Sequence, residues 1–451
     1  MKIISNLEKN IKMNIHLIAI GGSAMHNLAI ALKKKNFNVT GSDDAIFEPS
    51  KSRLKKYDLL PIENGWFEHK ITEQIDAIIL GMHAREDNPE LIKAQKLNIP
   101  IYSYPEYIYK QSQTKKRIVI GGSHGKTSIT AMILHVLKNL NIDCDYLVGA
   151  QLEGFDTMVK LSNAPLIILE GDEYLSSPID RRPKFHIYKP HIGVISGIAW
   201  DHINVFPTFE NYIEQFRIFK NTVSEQLIYC NEDQELNKLM LEKTKCEIID
   251  YGTPKHKIIN GITSINDYDL KIFGIHNLQN LNAAMLVCMQ IGIDKKTFLN
   301  EIKSFKGATN RLELISNEKD FSIYKDFAHS PSKLKATTLA LKKQFPVRKL
   351  IACMELHTFS SLNKSFLKEY ENSMNIVDIA IIYYNTETLK QKKLRDITKD
   401  EIKNAFKKTD LVVFTNSNKL EKHLKSIKSN NQNILLMSSG NFNGMDLNKI
   451  I

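Results

Sequence analysis

The sequence predicts an α/β protein of three domains with mostly parallel sheets. Short runs of apolar, often β-branched residues alternate with stretches whose apolar residues recur at helical spacing. Many of the strand runs end in glycine-rich or acidic turns, which is typical of the carboxyl edge of parallel sheets. The pattern falls into three segments, 1–113, 114–308 and 309–451, and a chain of 451 residues suits that number of domains.

Composition narrows the class of protein. Hydrophobic residues make up 43% and charged residues 25%, as in ordinary globular proteins. The net charge is +11, but the lysines are spread along the chain without an arginine-rich stripe, so we expect no nucleic-acid partner. The five cysteines lack C-x-x-C spacing, which favours reduced thiols and a cytoplasmic location. No apolar run has the length of a membrane span or a signal-peptide core, so we expect no membrane insertion.

The first segment opens with a βαβ pattern. An apolar strand at 15–20 ends in the glycine turn at 21–25, a helix follows, and a second strand leads into Asp43. Glycines at one strand end and an acid at the next are typical of a Rossmann-like nucleotide site. The full G-x-G-x-x-G pattern is absent, so NAD, another nucleotide and an empty turn all remain open. The segment 81–88 follows another strand, where such sheets place ligands.

The second segment opens with a phosphate loop. The strand Ile118–Ile120 is followed by glycines at 121, 122 and 125, and a helix begins at Lys126. Glycine lets backbone N–H groups approach a phosphate at the positive end of a helix. Lys126 suits the β- and γ-phosphates, and the Thr127 hydroxyl suits Mg²⁺. Ile120 stands where the standard pattern has glycine, so the loop is one residue shorter, and an ordinary strand-to-helix turn is the alternative.

Acidic and polar residues follow later strands of this segment. One strand at 166–169 ends in the acids up to Glu173, which could hold Mg²⁺ or form a solvated loop. Another ends in His202, a candidate metal or γ-phosphate contact that could also be structural. Asn277 and Asn280 begin a helix and carry the donor and acceptor that an adenine edge requires, although an N-cap would explain Asn277 equally well.

The third segment predicts a smaller α/β domain with a dinucleotide-fold pattern. Its strands lead into DFAHSP at 326–331 and ELHTFS at 355–360, and a glycine loop follows a strand near 440.

In their order along the chain, these motifs resemble the Mur ligases, ATP-dependent enzymes that form amide bonds in peptidoglycan synthesis. The resemblance spans nearly the whole sequence. It rests on IHLIAIGGSAMHNLA with GSD, GGSHGKTS, EGDE, AWDH, HNLQNLNAA, GATNRLEL and DFAHSP.

The resemblance implies a role for each motif, with ATP and Mg²⁺ as cofactors. The implied catalytic residues are Lys126, Glu173 and His202. The implied metal ligands are Thr127, Glu173 and His202. ATP would be bound by Gly122, Ser123, His124, Gly125, Lys126, Thr127, Ser128, Asn277, Asn280, Arg311 and Asp326. The UDP-sugar would be bound by Gly21, Gly22, Ser23, Ala24, Met25, Ser42, Asp43 and His83. The acceptor side would include His329, His357 and Asn441. Some members carry a carbamylated lysine, and Lys220 is left unassigned for that role.

The string DEY followed by DRRPKF resembles the member that recycles muropeptides, as do DFAHSP and LHTFSSLN. This resemblance implies that the protein joins UDP-N-acetylmuramate to L-alanyl-γ-D-glutamyl-meso-diaminopimelate through an acyl phosphate. Ser330 and the stretch Thr358–Ser360 depart from histidine- and arginine-containing family patterns. A UDP-N-acetylmuramate–L-alanine ligase is the alternative, and a regulatory nucleotide switch and a nucleic-acid-dependent ATPase are further ones. The third residue of the acceptor and the oligomeric state stay open.

Water must be excluded from an acyl phosphate, so we expect the third domain to close on ATP binding. The expected hinges lie near Lys306–Gly307 and Asn310.

Overall fold

The computed structural model describes residues 12–201, 205–308 and 311–447. The predictions for His202 and Asn310 lie outside this range. The chain divides into two compact units, Met1–Val119 with Asp143–His191 and Ile120–Ile142 with Ile192–Ile451. The predicted α/β class with mostly parallel sheets is confirmed.

The first sheet has four parallel strands in the order β2-β1-β3-β4. Residues of the inner strands β1 and β3 are almost all buried, as expected for a parallel sheet with helices on both faces. The strands are β1 Asn14–Ile18, β2 Asn38–Ser42, β3 Ala77–Leu80 and β4 Ile101–Ser103. The helices are α1 Ser23–Lys34, α2 Ser50–Lys56, α3 Pro89–Lys96 and α4 Tyr104–Gln111.

The second sheet has seven strands in the order β11-β10-β9-β5-β8-β6-β7. Strands β9, β10 and β11 pair in parallel, β6 and β8 also do so, and β7 is antiparallel to β6. The strands are β5 Lys116–Gly121, β6 Asp145–Leu147, β7 Val159–Lys160, β8 Leu166–Glu170, β9 Ile192–Ile195, β10 Gln226–Cys230 and β11 Glu247–Tyr251. The helices of this stretch are α5 Lys126–Asn139, α6 Lys184–Ile187, α7 Phe209–Thr222, α8 Gln234–Met240, α9 Ile275–Gln290 and α10 Lys295–Ile302.

A small antiparallel sheet, β12-β13-β14, was not predicted from the sequence. Its strands are β12 Lys257–Ile259, β13 Ile262–Ile265 and β14 Tyr268–Leu270. The turn between the first two strands is Asn260-Gly261, and both residues have positive φ, 51° and 76°. Asn-Gly at such a position is a strong hairpin signal that the sequence did contain.

The last sheet has six strands in the order β15-β16-β20-β17-β18-β19, parallel except for the edge strand β15. The strands are β15 Glu313–Glu318, β16 Phe321–Asp326, β17 Lys349–Leu356, β18 Ile379–Tyr384, β19 Val412–Phe414 and β20 Gln432–Met437. The helices are α11 Pro331–Gln344, α12 Thr386–Gln391, α13 Lys399–Phe406 and α14 Ser417–Ser426.

Strand β17 shows how this sheet separates two cores. Alternate side chains of a strand point to opposite faces. Leu350, Ala352 and Met354 accordingly join one apolar cluster, and Ile351 and Cys353 join the other. Phe273, which precedes α9, also belongs to the first cluster, with its ring 5.7 Å from that of Tyr324.

Within the described ranges, no helix has the length and apolar character needed to cross a bilayer.

Candidate functional site

The phosphate loop connects β5 to α5 through a close backbone approach. Gly122 and Gly125 have φ of 129° and 79°, which glycine adopts at no steric cost. A Cβ atom on Gly122 would overlap the Ser196 hydroxyl and lie 2.9 Å from the Ser196 backbone nitrogen. Glycine at 122 is therefore required by both conformation and space.

Lys126 and Thr127 are the first two residues of α5. The Lys126 ammonium donates to the Gly122 carbonyl at 2.6 Å, so the side chain folds back over its own loop. Thr127 is buried. Both groups lie at the positive end of a 14-residue helix, where a phosphate would be stabilised.

Sequence reasoning missed the residues that hold this loop in shape. The Ser196 hydroxyl, just after β9, donates to the Gly121 carbonyl at 3.2 Å and also to the His124 carbonyl. The Ser123 hydroxyl contacts the Tyr212 hydroxyl at 2.9 Å and accepts from the Ala199 backbone N–H at 2.9 Å. The Ser123 side chain, expected to bind ATP, thus shapes the loop. The only sequence signal for Ser196 is its position at a strand end.

Several basic groups surround the loop. Burial, together with the charges of Lys333 and Lys126 and the neighbouring His276, lowers the pKa of His124 to about 4. Burial also lowers the pKa of His276 to about 4. Both imidazoles are therefore neutral at pH 7, and the two lysines provide the positive charge.

Helix α9 brings one of its two predicted asparagines to the phosphate loop. A Cβ atom on Gly125 would overlap Oδ1 of Asn280, so that amide lies directly against the loop. The Asn277 amide donates to the Phe273 carbonyl, one turn earlier, at 3.0 Å. Adenine recognition by these residues stays a prediction.

The acidic turn after β8 is well ordered by hydrogen bonds. Glu170 accepts from the Gly149 backbone N–H at 2.6 Å, and Lys184 pairs with Asp172 at 2.6 Å. Glu173 is 1% exposed. Glu173 belongs to the first compact unit and Thr127 to the second, so their sharing of one Mg²⁺ stays a prediction.

An ion pair connects the third segment to the loop that follows β9 in the second segment. Lys333, in the first turn of α11, lies 3.5 Å from a carboxylate oxygen of Asp201. His329 is close by, and its Nδ1 lies 2.8 Å from the Phe327 carbonyl. Burial, followed by the Lys333 charge, lowers the pKa of His329 to about 3. His329 is therefore neutral at pH 7.

Arg311 and Asp326, which the sequence analysis assigned to ATP, lie near enough for the Arg311 charge to act on the Asp326 carboxyl group. The Arg311 guanidinium lies 4.5 Å from the centre of the Phe327 ring. Asp326 accepts from the backbone N–H groups of Leu312 at 2.6 Å and Ala328 at 2.7 Å. Burial raises the pKa of Asp326, and the Arg311 charge opposes that rise. Asp326 thus joins the start of β15 to the loop that follows β16.

The first unit brings the glycine turn and the acid together. Asp43 accepts from the Gly21 backbone N–H at 2.7 Å. Burial raises the pKa of Asp43, and Asp44 raises it further. His83 is exposed, and a Cβ atom on Gly22 would lie 3.8 Å from its ring. This cluster lies at the N-terminus of α1, where a diphosphate would be stabilised.

The other predicted UDP-sugar residues divide by exposure. Ser23 and Ala24 are exposed in the first turn of α1. Met25 and Ser42 are buried, and a Cβ atom on Gly81 would lie 3.2 Å from Met25. Met25 therefore packs beneath the turn.

Two of the three predicted acceptor residues, His357 and Asn441, lie on one loop cluster of the third segment. His357 lies against Gly440, since a Cβ atom there would be 2.8 Å from Nδ1 of His357. Asn441 is exposed, and its Oδ1 accepts from the Gly444 backbone N–H at 3.1 Å. His329 is not part of this cluster of contacts.

Lys220 has a structural role. Its side chain is buried, and its ammonium donates to the Leu239 carbonyl at 2.9 Å and the Glu242 carbonyl at 3.2 Å. These carbonyls lie at the end of α8.

Three family models match consecutive parts of the chain. Residues 14–116 match the Mur ligase family catalytic domain, 120–288 the Mur ligase middle domain, and 310–440 the Mur ligase glutamate ligase domain. The UDP-N-acetylmuramate–L-alanine ligase of Clostridium kluyveri is 30% identical over 381 residues, covering 79% of this chain and 81% of the relative. The chain belongs to the Mur ligase family. The family prediction is thus confirmed, and with it an ATP-dependent ligase that forms amide bonds in peptidoglycan synthesis.

Further comparisons agree with this Mur ligase's architecture. The UDP-N-acetylmuramate–L-alanine ligase of Clostridium tetani is 28% identical, covering 88% of each chain. Among solved structures, the UDP-N-acetylmuramate–alanine ligase of Thermotoga maritima has a TM-score of 0.69 at 20% identity, covering 96% of this chain and 97% of that one. The murein peptide ligase of Psychrobacter arcticus has a TM-score of 0.66 at 22% identity, covering 97% and 98%. These two structures share the fold.

Proposed function

We propose that this Mur ligase uses ATP to join the carboxylate of UDP-N-acetylmuramate to an amine. The observation that carries the proposal is the phosphate loop, in which Gly122 meets Ser196 and Lys126 folds over the loop at the start of α5. A second nucleotide turn, where Asp43 accepts from Gly21, supports a separate UDP-sugar site. The names of the sequence relatives support UDP-N-acetylmuramate as the donor.

In the proposed reaction, the muramate carboxylate attacks the ATP γ-phosphate and forms an acyl phosphate. The acceptor amine then displaces phosphate. Lys126 stabilises charge on the transferring phosphoryl group, since such transfer depends on positioning and charge neutralisation. Arg311 and Asp326 contact ATP from the third segment, and Asn277 and Asn280 contact adenine.

The residues that the sequence analysis assigned to Mg²⁺ suit that ion by the chemistry of their side chains. Thr127 supplies a hydroxyl at the helix start and Glu173 a buried carboxylate, and Mg²⁺ prefers oxygen ligands completed by water and phosphate. We assign these two residues to the ion, together with His202. Bound Mg²⁺ would neutralise charge on the ATP phosphates.

The comparisons favour L-alanine as the acceptor, which the sequence analysis ranked second. Relatives at 28–30% identity that span most of the chain are named UDP-N-acetylmuramate–L-alanine ligases. The string DRRPKF, which resembles the muropeptide-recycling member, has a local structural role, because Arg182 pairs with Asp180 at 2.7 Å and with Glu106 at 2.8 Å. L-Alanine is therefore the first candidate.

A tripeptide acceptor is the second candidate, and one observation favours it. Thr358 and Ser361 lie in LHTFSSLN, the segment whose sequence resembles the muropeptide-recycling member. Thr358 Oγ1 accepts from the Ser361 backbone N–H at 3.0 Å, so this segment forms an uncharged turn. This turn is the part of the structure at which the resemblance supports a tripeptide acceptor.

The test is phosphate release from ATP with UDP-N-acetylmuramate and one of three additions: L-alanine, L-alanyl-γ-D-glutamyl-meso-diaminopimelate, or no acceptor. Release with L-alanine alone supports the first candidate, and release with the tripeptide alone supports the second. No stimulation by either amine, or full release without UDP-N-acetylmuramate, contradicts the proposal.

A further inference from the structure

The buried carboxylate of Glu355 lies at the carboxyl end of β17, beside the loop that follows β20. Its side chain is 3% exposed. The Phe442 backbone N–H donates to Glu355 Oε2 at 2.8 Å, and the Ser438 hydroxyl donates to the same oxygen. Ser438 in turn accepts from the Gly440 backbone N–H at 2.6 Å. One carboxylate therefore fixes the whole loop from 438 to 442.

The other oxygen of Glu355 is directed to a histidine. Oε1 lies 3.7 Å from Nδ1 of His357, and the His357 side chain is 38% exposed. A Cβ atom on Gly440 would lie 2.9 Å from Cγ of His357 and 3.0 Å from Oε2 of Glu355, so the loop backbone packs against both groups. The negative carboxylate faces Nδ1 at 3.7 Å, which favours the tautomer that carries its proton on Nδ1 and leaves Nε2 as the proton acceptor.

The second half of the proposed reaction needs such an acceptor. An amino group arrives as an ammonium ion near pH 7, and an ammonium ion has no lone pair with which to attack an acyl phosphate. A half-exposed imidazole whose far nitrogen is oriented by a buried carboxylate can remove that proton. His357 is one of the residues that the sequence analysis assigned to the acceptor side, and Glu355 lies beside it.

We infer that His357 is the general base for the acceptor amine and that Glu355 is its positioning residue. This inference rests on the proposed function. Nε2 of His357 takes one proton from the ammonium group. The neutral amine then forms the C–N bond, the C–O bond to phosphate breaks, and the amine's second proton leaves with the phosphate. The imidazolium afterwards returns its proton to water.

The test compares two acceptors for the same acyl phosphate. The acceptor amine identified above is protonated near pH 7, whereas hydroxylamine is neutral and needs no base. The variants are His357→Gln and Glu355→Gln, where the glutamine keeps an oxygen for the Phe442 N–H. Glu369→Gln, at an exposed residue of the same segment, is the control. Ligation is followed as amide product and trapping as hydroxamate, both with ATP and UDP-N-acetylmuramate.

We expect both variants to lose about 100-fold in kcat for the amino acceptor, with its KM changed less than about threefold. Hydroxamate formation should stay within about twofold of the unmodified protein. An equal loss in both reactions would assign the pair a structural role and overturn the inference, as would unchanged ligation. If the unmodified protein yields hydroxamate with UDP-N-acetylmuramate, the proposed function stands whatever the variants do. If it yields neither product, the proposed function fails and the inference with it.

Discussion

Replacing Gly122 with alanine tests the architecture of the phosphate loop. The new Cβ would overlap Ser196 Oγ and lie 2.9 Å from a backbone nitrogen that cannot rotate away. A non-glycine residue at φ 129° costs about 1–3 kcal/mol, and overpacking costs about 1–3 kcal/mol more. Gly292→Ala is the matched control, because Gly292 also has positive φ, 90°, but nothing lies within 4 Å of its added Cβ.

The expected result is a free energy of unfolding about 1–3 kcal/mol lower for Gly122→Ala than for Gly292→Ala, because only the former meets packed atoms. Urea denaturation followed by Trp200 fluorescence measures it, in a Trp66→Phe background so that the remaining tryptophan reports on the second compact unit. ATP binding should be lost in Gly122→Ala alone. Equal stability of the two variants, within about 0.5 kcal/mol, would refute the close-approach argument.

Three further predictions address charge. Lys126→Ala should lower turnover at least about 100-fold with an unchanged urea midpoint, because it removes a charge at the transferring phosphate, and a near-normal rate would remove the loop from the mechanism. Lys115 and Asp145 form a buried ion pair at 2.9 Å. In urea denaturation, Lys115→Ala should lower the free energy of unfolding by about 3–5 kcal/mol, whereas Lys115→Met combined with Asp145→Leu should leave it nearly unchanged. Equal losses in the two variants would contradict this prediction. The pKa values of His124 and His276 are lowered from 6.5 to about 4 in the folded protein. Between these two pH values the unfolded chain binds more protons than the folded one, so the free energy of unfolding should decrease as pH falls. His276→Asn should flatten that slope in urea midpoints measured from pH 7 to 4.5, whereas exposed His69→Gln should not, and identical slopes would count against a neutral buried His276.

The sequence predicted features that depend on neighbours along the chain. The strand, turn and helix from 118 to 137 follow from periodicity and from glycines before Lys126, and the structure has them there. Ser196 and Tyr212, which shape the same loop, are 72 to 89 residues away from their partners in it, and a serine at a strand end has no distinctive pattern. Glu355 could not be singled out from the sequence for the same reason, because the loop that it contacts lies more than 80 residues away along the chain. Contacts of that kind arise from the fold and cannot be inferred from spacing.

The small antiparallel sheet was missed for a different reason. The Asn260-Gly261 pair was a readable hairpin signal, but its strands have few buried residues and weak alternation. Among the site residues, too, some predictions depended on a local motif and others on burial, which the sequence does not reveal. Local motifs correctly brought Gly21 together with Asp43, whereas buried Met25 could not be distinguished from an exposed ligand-binding residue.

Phe273 belongs in sequence to the middle part of the chain, yet it completes an apolar cluster of the last sheet, next to Tyr324 and Phe345. Gln344 also holds the hairpin turn through the Gly261 carbonyl at 2.7 Å. A fragment that began near residue 309 would lack Phe273, which would leave a cavity in the apolar cluster. It would also lose the hydrogen bond between Gln344 and the Gly261 carbonyl. A fragment designed to keep both contacts would therefore begin before the hairpin, and a movement of the last sheet that keeps them would carry the hairpin along.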